Sequence, residues 1–138
     1  MSALFKTSIG IAAVLAAIFL VLNLIRVLII RKAGKLKGRK LDELYPAAKL
    51  RNGFIYFFSP VCASCRQMTP LLRKMEKDGF SGRFIDVSVD MAPARALGVI
   101  GTPALVLVKS GIVTDIFFGM QRESMLKERL GTLCSGRR

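Results

Sequence analysis

The chain has 138 residues, a net charge of +13 and no histidine or tryptophan. Such a length holds one domain, and three cysteines are too few, and odd in number, for a disulfide-stapled secreted scaffold. A basic excess in a soluble protein points to nucleic acid, but residues 1–40 carry eight Lys/Arg and no acid against fourteen and nine in the remainder, so the excess is juxtamembrane and no nucleic-acid partner is expected.

From Thr7 to Ile25 the chain runs nineteen residues without a charge. As a helix this rises about 28 Å, against a hydrocarbon core of about 30 Å. Arg26 and then Val27-Leu28-Ile29-Ile30 carry the helix into the headgroup region, with Arg26 snorkelling. Residues 1–30 therefore read as a single transmembrane anchor. A cleaved signal would have a shorter apolar core and a more basic start than the lone Lys6. Residues 31–40, with Arg31, Lys32, Lys35, Lys37, Arg39 and Lys40, read as a basic linker that holds anionic headgroups of the lipid bilayer. The positive-inside rule then puts residues 41–138, the folded domain, on the cytoplasmic side of the cell membrane.

Within the domain, Leu41 to Leu50 is a short segment interrupted by Pro46, and "GFIYFFS" is an apolar run of strand length suited to a central strand buried on both faces. Cys62 to Lys77 places Met68, Leu71, Leu72 and Met75 at helical spacing, with Pro70 inside and Asp78-Gly79 as a stop. "RFIDVSVD" alternates as a second strand, "APARALGV" reads as a short helix closed by Gly98, "ALVLVK", "SG" and "IVTDIFF" as a hairpin, and "QRESMLKERL" as a final amphipathic helix. The order strand, helix, strand, helix, hairpin, helix predicts an α/β fold, a mixed sheet covered by helices on both faces.

Cys62-Ala63-Ser64-Cys65 falls where the first strand meets its helix. A thiolate at a helix N-terminus is favoured by unsatisfied N–H groups and the positive end of the dipole, and a second cysteine one turn on can reach a mixed disulfide and resolve it. Cys62 is thus the candidate nucleophile and Cys65 the resolving residue. Metal binding is the competing use of such a pair. With no histidine and only Cys134 besides, a complete structural zinc site within the chain is not expected, while a two-cysteine copper(I) site or zinc shared across a dimer stays open. Cys134, after the last predicted helix, reads as a spare thiol. No cofactor other than the protein's own disulfide is expected.

Three separated features carry a resemblance to thioredoxin-like proteins over about Phe54 to Leu130: the Cys-x-x-Cys pair with Pro70 eight residues after its first cysteine, "GVIGTPALVLVKSG", and Gly119 before a Lys/Glu-rich helix. The resemblance implies a thioredoxin-like sheet and thiol–disulfide exchange with protein thiols and disulfides through Cys62 and Cys65, fed by an electron donor or acceptor that the sequence does not name. It also implies that Pro103 is a cis-proline facing the pair, so that the Thr102 backbone pairs with a substrate chain. The departures are equally specific. Val61 stands where the family has Trp, Ala63-Ser64 where it has Gly-Pro, and Tyr56 where it has a buried Asp thought to manage the second cysteine's proton. Asp86 falls on the neighbouring strand, where a thioredoxin carries Lys, and is the candidate for a relocated buried carboxylate and proton relay. A cytoplasmic location implies a reductase. An extracytoplasmic one would imply a disulfide oxidase or isomerase, or a cytochrome-maturation reductase, and a non-catalytic adaptor or metal-handling module is the remaining alternative.

Overall fold

A computed structural model of the chain describes residues 2–34 and 36–134, with side chains for residues 10–28 and 36–133. The side chains of Lys6, Arg31, Lys32 and Cys134, and Lys35 altogether, lie outside the described residues. The chain divides after Lys32 into two units.

The first unit is the greater part of helix α1, Ser2–Gly34. Its apolar stretch Gly10–Leu28 is long enough to cross a membrane, and none of it is covered by protein. A transmembrane span and a signal sequence both fit that description. Its one neutral polar side chain beyond Gly10, Asn23, donates from Nδ2 to the Phe19 carbonyl at 2.9 Å, which satisfies the amide inside an apolar helix.

In the second unit a four-stranded sheet runs in the order β2-β1-β3-β4. β1, Gly53–Phe58, is parallel to β2, Gly82–Asp86, and antiparallel to β3, Ala104–Lys109; β4, Ile112–Phe118, closes the far side. The unbroken apolar run of β1 has a direct cause. Ile55 and Phe57 face one core, with Leu41, Ala94 and Leu97, while Phe54 and Tyr56 face another, with Met68, Leu72 and Met75. A strand buried on both sides has no face on which alternation could place polar residues.

The second of those cores is closed by α3, Ala63–Lys77, and α5, Glu123–Cys134. Cys65, Met68, Leu72 and Met75 bury one stripe of α3, and Leu126, Leu130 and Leu133 bury one of α5. α5 thus extends four residues beyond the predicted Leu130 and includes Cys134. The opposite face is covered by the short helices α2, Leu41–Leu44, and α4, Ala92–Ala96, with a 3₁₀ turn at Pro46–Ala48. The β3–β4 turn has positive φ at both Ser110 and Gly111, the requirement of a two-residue type I′ hairpin. Asn52 Oδ1 accepts from the Ser110 N–H at 2.8 Å and ties that turn to the start of β1.

Two expectations are corrected. β2 stops at Asp86 rather than running on through Val87–Asp90, because Asp86 Oδ1 accepts from Ser88 N and Oγ at 2.9 and 2.6 Å and turns the chain. The stretch read as a linker up to residue 40 is folded from Leu36 onward. Gly38 N–H donates to the Val113 carbonyl at 2.8 Å, Val113 N–H to the Arg39 carbonyl at 3.0 Å, and Leu41 N–H to the Gly111 carbonyl at 2.8 Å. Leu36 packs on the core and Lys37 forms an ion pair with Asp115. This strap covers the free edge of β4, whose unpaired backbone would otherwise be open to another strand.

The tightest backbone approach lies at Gly53, where φ is +148° and a Cβ would meet the Ser81 carbonyl oxygen at 2.0 Å. Gly53→Ala is expected to lower the unfolding free energy by about 3 kcal/mol, read as a lower urea midpoint of the full chain in detergent. Gly131→Ala, in the interior of α5 with open space for the methyl group, is expected to raise it by about 0.5–1 kcal/mol.

Candidate functional site

The site lies at the end of the sheet where β1 runs out. Four residues, Ser59 to Cys62, connect β1 to α3, and the Cys62 N–H donates to the Ser59 carbonyl at 3.1 Å to close the turn. Cys62 is the N-cap of α3, with extended backbone and its Sγ accepting from the Cys65 N–H at 3.2 Å. A sulfur thus does the work of a Ser or Asp cap, taking one of the donors that a helix start leaves unpaired. Cys62 and Cys65 are joined by a disulfide, with Cα atoms 5.2 Å apart.

The two sulfurs have different surroundings. Cys62 is half-buried, whereas Cys65 is 1% exposed under the first turn of α3. No Asp or Glu occurs between Ser59 and Met75, where Arg66, Arg73 and Lys74 are the charged residues. The helix N-terminus and this local basic excess both favour a thiolate at Cys62 once the disulfide is reduced.

The sheet register gathers the other predicted residues at this end. Ala104 pairs with Phe57, so Thr102 and Pro103 lie beside the start of the cysteine loop, and the Thr102–Pro103 peptide is cis. Gly119 donates its N–H to the Pro103 carbonyl at 2.8 Å. Asp86 pairs with Phe58, at the same end. It is half-buried rather than buried, and its Oδ1 is committed to the Ser88 turn, which corrects the expectation of a buried carboxylate. Val61, Ile100 and Met120, on three loops at this end, expose 91%, 60% and 50% of their surface. Among the described residues no three His, Cys, Asp or Glu groups gather to ligate a metal.

Beneath Cys65 lies an arrangement that sequence reasoning noticed only in part. Thr69 Oγ1 donates to the Cys65 carbonyl at 2.7 Å, and the Tyr56 hydroxyl stands 3.2 Å from Thr69 Oγ1 and 3.4 Å from that carbonyl. Tyr56 is fully buried, stacked 5.7 Å from Phe58 and edge-on to Phe84. Tyr56, where the resemblance to thioredoxins implies a carboxylic acid, thus offers a neutral hydroxyl beside that of Thr69. The available signal was Thr69 four residues after Cys65, the spacing at which a hydroxyl reaches back to a helix carbonyl.

Burial pushes the Tyr56 phenol above its ordinary value, and the Thr69 hydroxyl pulls it part of the way back. Below the ordinary phenol value, near 10, both folded and unfolded chains hold the proton and stability is unaffected. Above it the unfolded chain ionises first, so stability falls as pH rises toward the folded value. Tyr56→Phe is expected to flatten this alkaline loss in denaturation curves taken from pH 8 to 11. It should also cost about 1 kcal/mol at pH 8 for the missing hydrogen bond.

Comparison with known proteins bears on the same residues. The family model described as "TraF: F plasmid transfer operon protein" matches residues 32–130. A thioredoxin of Chlamydia caviae is 34% identical over 74 residues, 52% of this chain and 72% of the relative. Among solved structures, a mutant thioredoxin of Halobacterium salinarum superposes with a TM-score of 0.59 at 26% identity, over 71% of this chain and 87% of that one. A thioredoxin of Fasciola hepatica does so with a TM-score of 0.57 at 26% identity, over 67% and 90%. With a cysteine pair at disulfide distance capping α3, and a sheet that superposes on thioredoxins, the chain belongs to the TraF family of thioredoxin-like proteins and is a thiol–disulfide oxidoreductase.

Proposed function

We propose that the protein is a membrane-tethered reductase that passes electrons from an intracellular dithiol donor to disulfides of other proteins. The observation that carries the reading is the asymmetry of the pair: a half-buried Cys62 capping α3 and a fully buried Cys65 one turn behind it. In the reduced protein the Cys62 thiolate attacks a substrate disulfide. A Cys62–substrate S–S bond forms, and the other substrate sulfur leaves as a thiolate that takes up a proton. Cys65, losing its proton, then attacks Cys62 Sγ. The intramolecular disulfide forms and the second substrate thiol is released. Two electrons and two protons have passed to the substrate, and the donor dithiol restores the pair.

The exposed Val61, Ile100 and Met120 supply an apolar rim for an extended substrate segment, with Thr102 and Pro103 beside it to meet the segment's backbone. Asp86 has no step in this scheme, because its carboxylate is held in the Ser88 turn.

The anchor and its orientation rest on the apolar stretch Gly10–Leu28 and on the basic residues that crowd after it and not before it. A domain on that side meets a reducing thiol pool, which keeps the pair ready to donate.

Cys62→Ser is expected to abolish reduction of a disulfide-linked peptide. Cys65→Ser is expected to accumulate a mixed disulfide with the substrate that dithiothreitol releases. Full biological activity retained by Cys62→Ser, with peptide reduction lost, would favour a non-catalytic adaptor instead. For orientation, the Cys134→Ser chain in intact cells should resist a membrane-impermeant thiol reagent and become labelled after lysis without reductant. Labelling before lysis would place the domain outside, and a need for prior reductant there would show an oxidised pair and favour the oxidase reading.

A further inference from the structure

We propose that the end of the domain opposite the cysteines docks on anionic phospholipid headgroups, with Lys40, Lys49 and Arg51 binding lipid phosphates and Ile112 entering the acyl boundary. The inference rests on the reading of α1 as a membrane anchor and adds to it a second contact made by the folded domain.

Lys40, Lys49, Arg51 and Ile112 line one open cavity of about 550 Å³ beside the β3–β4 turn. Asp42 is the only carboxylate on its wall, so the lining is net cationic. Among the described residues none of the three cations is ion-paired. Their neighbours in the strap are, Lys37 to Asp115 and Arg39 to Glu43 at 3.6 Å. Lys40, the strap's remaining described cation, instead shares the cavity with Lys49 and Arg51. Lys49 has φ 46° and ψ 40°, a left-handed conformation that costs an L-residue about 1–2 kcal/mol. Such strain persists where the surrounding structure imposes it, and it recurs at binding sites. Ile112, 39% exposed on the same rim, gives the cationic patch an apolar member.

Chain length favours a lipid over a free phosphate as the occupant. From Gly34, the last residue of α1, to Lys40 there are six residues, which reach at most about 20 Å. A patch so tethered meets headgroups at high effective concentration, where each Lys or Arg contributes about 1 kcal/mol of attraction to an anionic surface. That attraction would be weak for a free domain and is sufficient for a tethered one. Docking also sets an orientation. Arg51 and Asn52 immediately precede β1 and the cysteine loop immediately follows it, and six strand residues rise about 20 Å. The docked domain holds Cys62 at about that height, facing away from the bilayer.

The chain has no tryptophan, so Ile112→Trp introduces a single tryptophan, excited selectively over the two tyrosines at long wavelength. The full chain carrying it would be placed in nanodiscs of phosphatidylcholine alone or mixed with phosphatidylglycerol, each with brominated acyl chains as quencher. Expected are a blue shift and several-fold stronger quenching in the anionic discs, weakened by salt, lost in K40Q/K49Q/R51Q and unaffected by millimolar inorganic phosphate. Peptide-disulfide reduction by each variant reports that its domain is folded. Incorporation into discs without quenching, or equal quenching in both discs and in the triple variant, would overturn the docking alone. Displacement by inorganic phosphate would overturn the lipid as the ligand in favour of a free anion. Failure of the chain to enter discs at all would overturn the anchored reading and the docking with it.

Discussion

The burial of β1 on both faces is the constraint from which the rest of the domain follows. Phe54 and Tyr56 need one apolar cover and Ile55 and Phe57 need another. Each such side chain, fully buried, contributes about 1.5–3 kcal/mol. Helices must therefore lie on both sides of the sheet, and a parallel partner reached through α3 brings the chain back beside β1. The end of β1 is held by pairing to β2 and β3 and by packing above and below. Only four residues beyond it stands Cys62. A redox pair so placed needs no further scaffold. Its position is inherited from the core, and the cap it forms on α3 supplies the electrostatic bias toward the thiolate.

The chemistry beneath the pair differs from that of thioredoxins in kind. A buried carboxylate changes charge with pH and with its surroundings, and it can take a proton from the resolving thiol. The Tyr56 and Thr69 hydroxyls remain neutral across the physiological range, and they act on the Cys65 carbonyl. They hold the first turn of α3 in place without offering a base. An open cavity of about 290 Å³, lined by Phe58, Ser59, Pro60, Cys65, Arg66, Thr69 and Pro70, lies beside it and holds no carboxylate to serve as that base.

Legibility in the sequence followed how each element earns its burial. β1 and α3 were readable because their apolar residues serve packing alone, as a continuous run in one and at spacings of three and four in the other. The cysteine pair was readable because its chemistry is confined to the two residues and the helix start between them. The end of β2 was not, since the alternation of Val87 and Val89 continues past the point where the Asp86 side chain turns the backbone. The strap at 36–40 was hidden by its composition. Its pairing to β4 uses main-chain groups that every residue has, and its one core contribution, Leu36, sits among lysines that read as solvent. Tyr56 registered as a departure, but its partner Thr69 could be found only once β1 and α3 were in contact.

The strap also changes what the net charge means. Counted along the chain, the basic residues after the apolar helix form one block. In the fold Lys37 and Arg39 pair with Asp115 and Glu43, while Lys40 joins Lys49 and Arg51 around the cavity at the far end of β1. The same strand that fixes the cysteines at one end thus fixes the open cations at the other. Redox chemistry at Cys62 requires approach by a second polypeptide, and a cationic surface docked on a bilayer as proposed above would be closed to it. Placing the two at opposite ends of one rigid strand keeps them from competing for the same surface. It also leaves the cysteine end open to substrates.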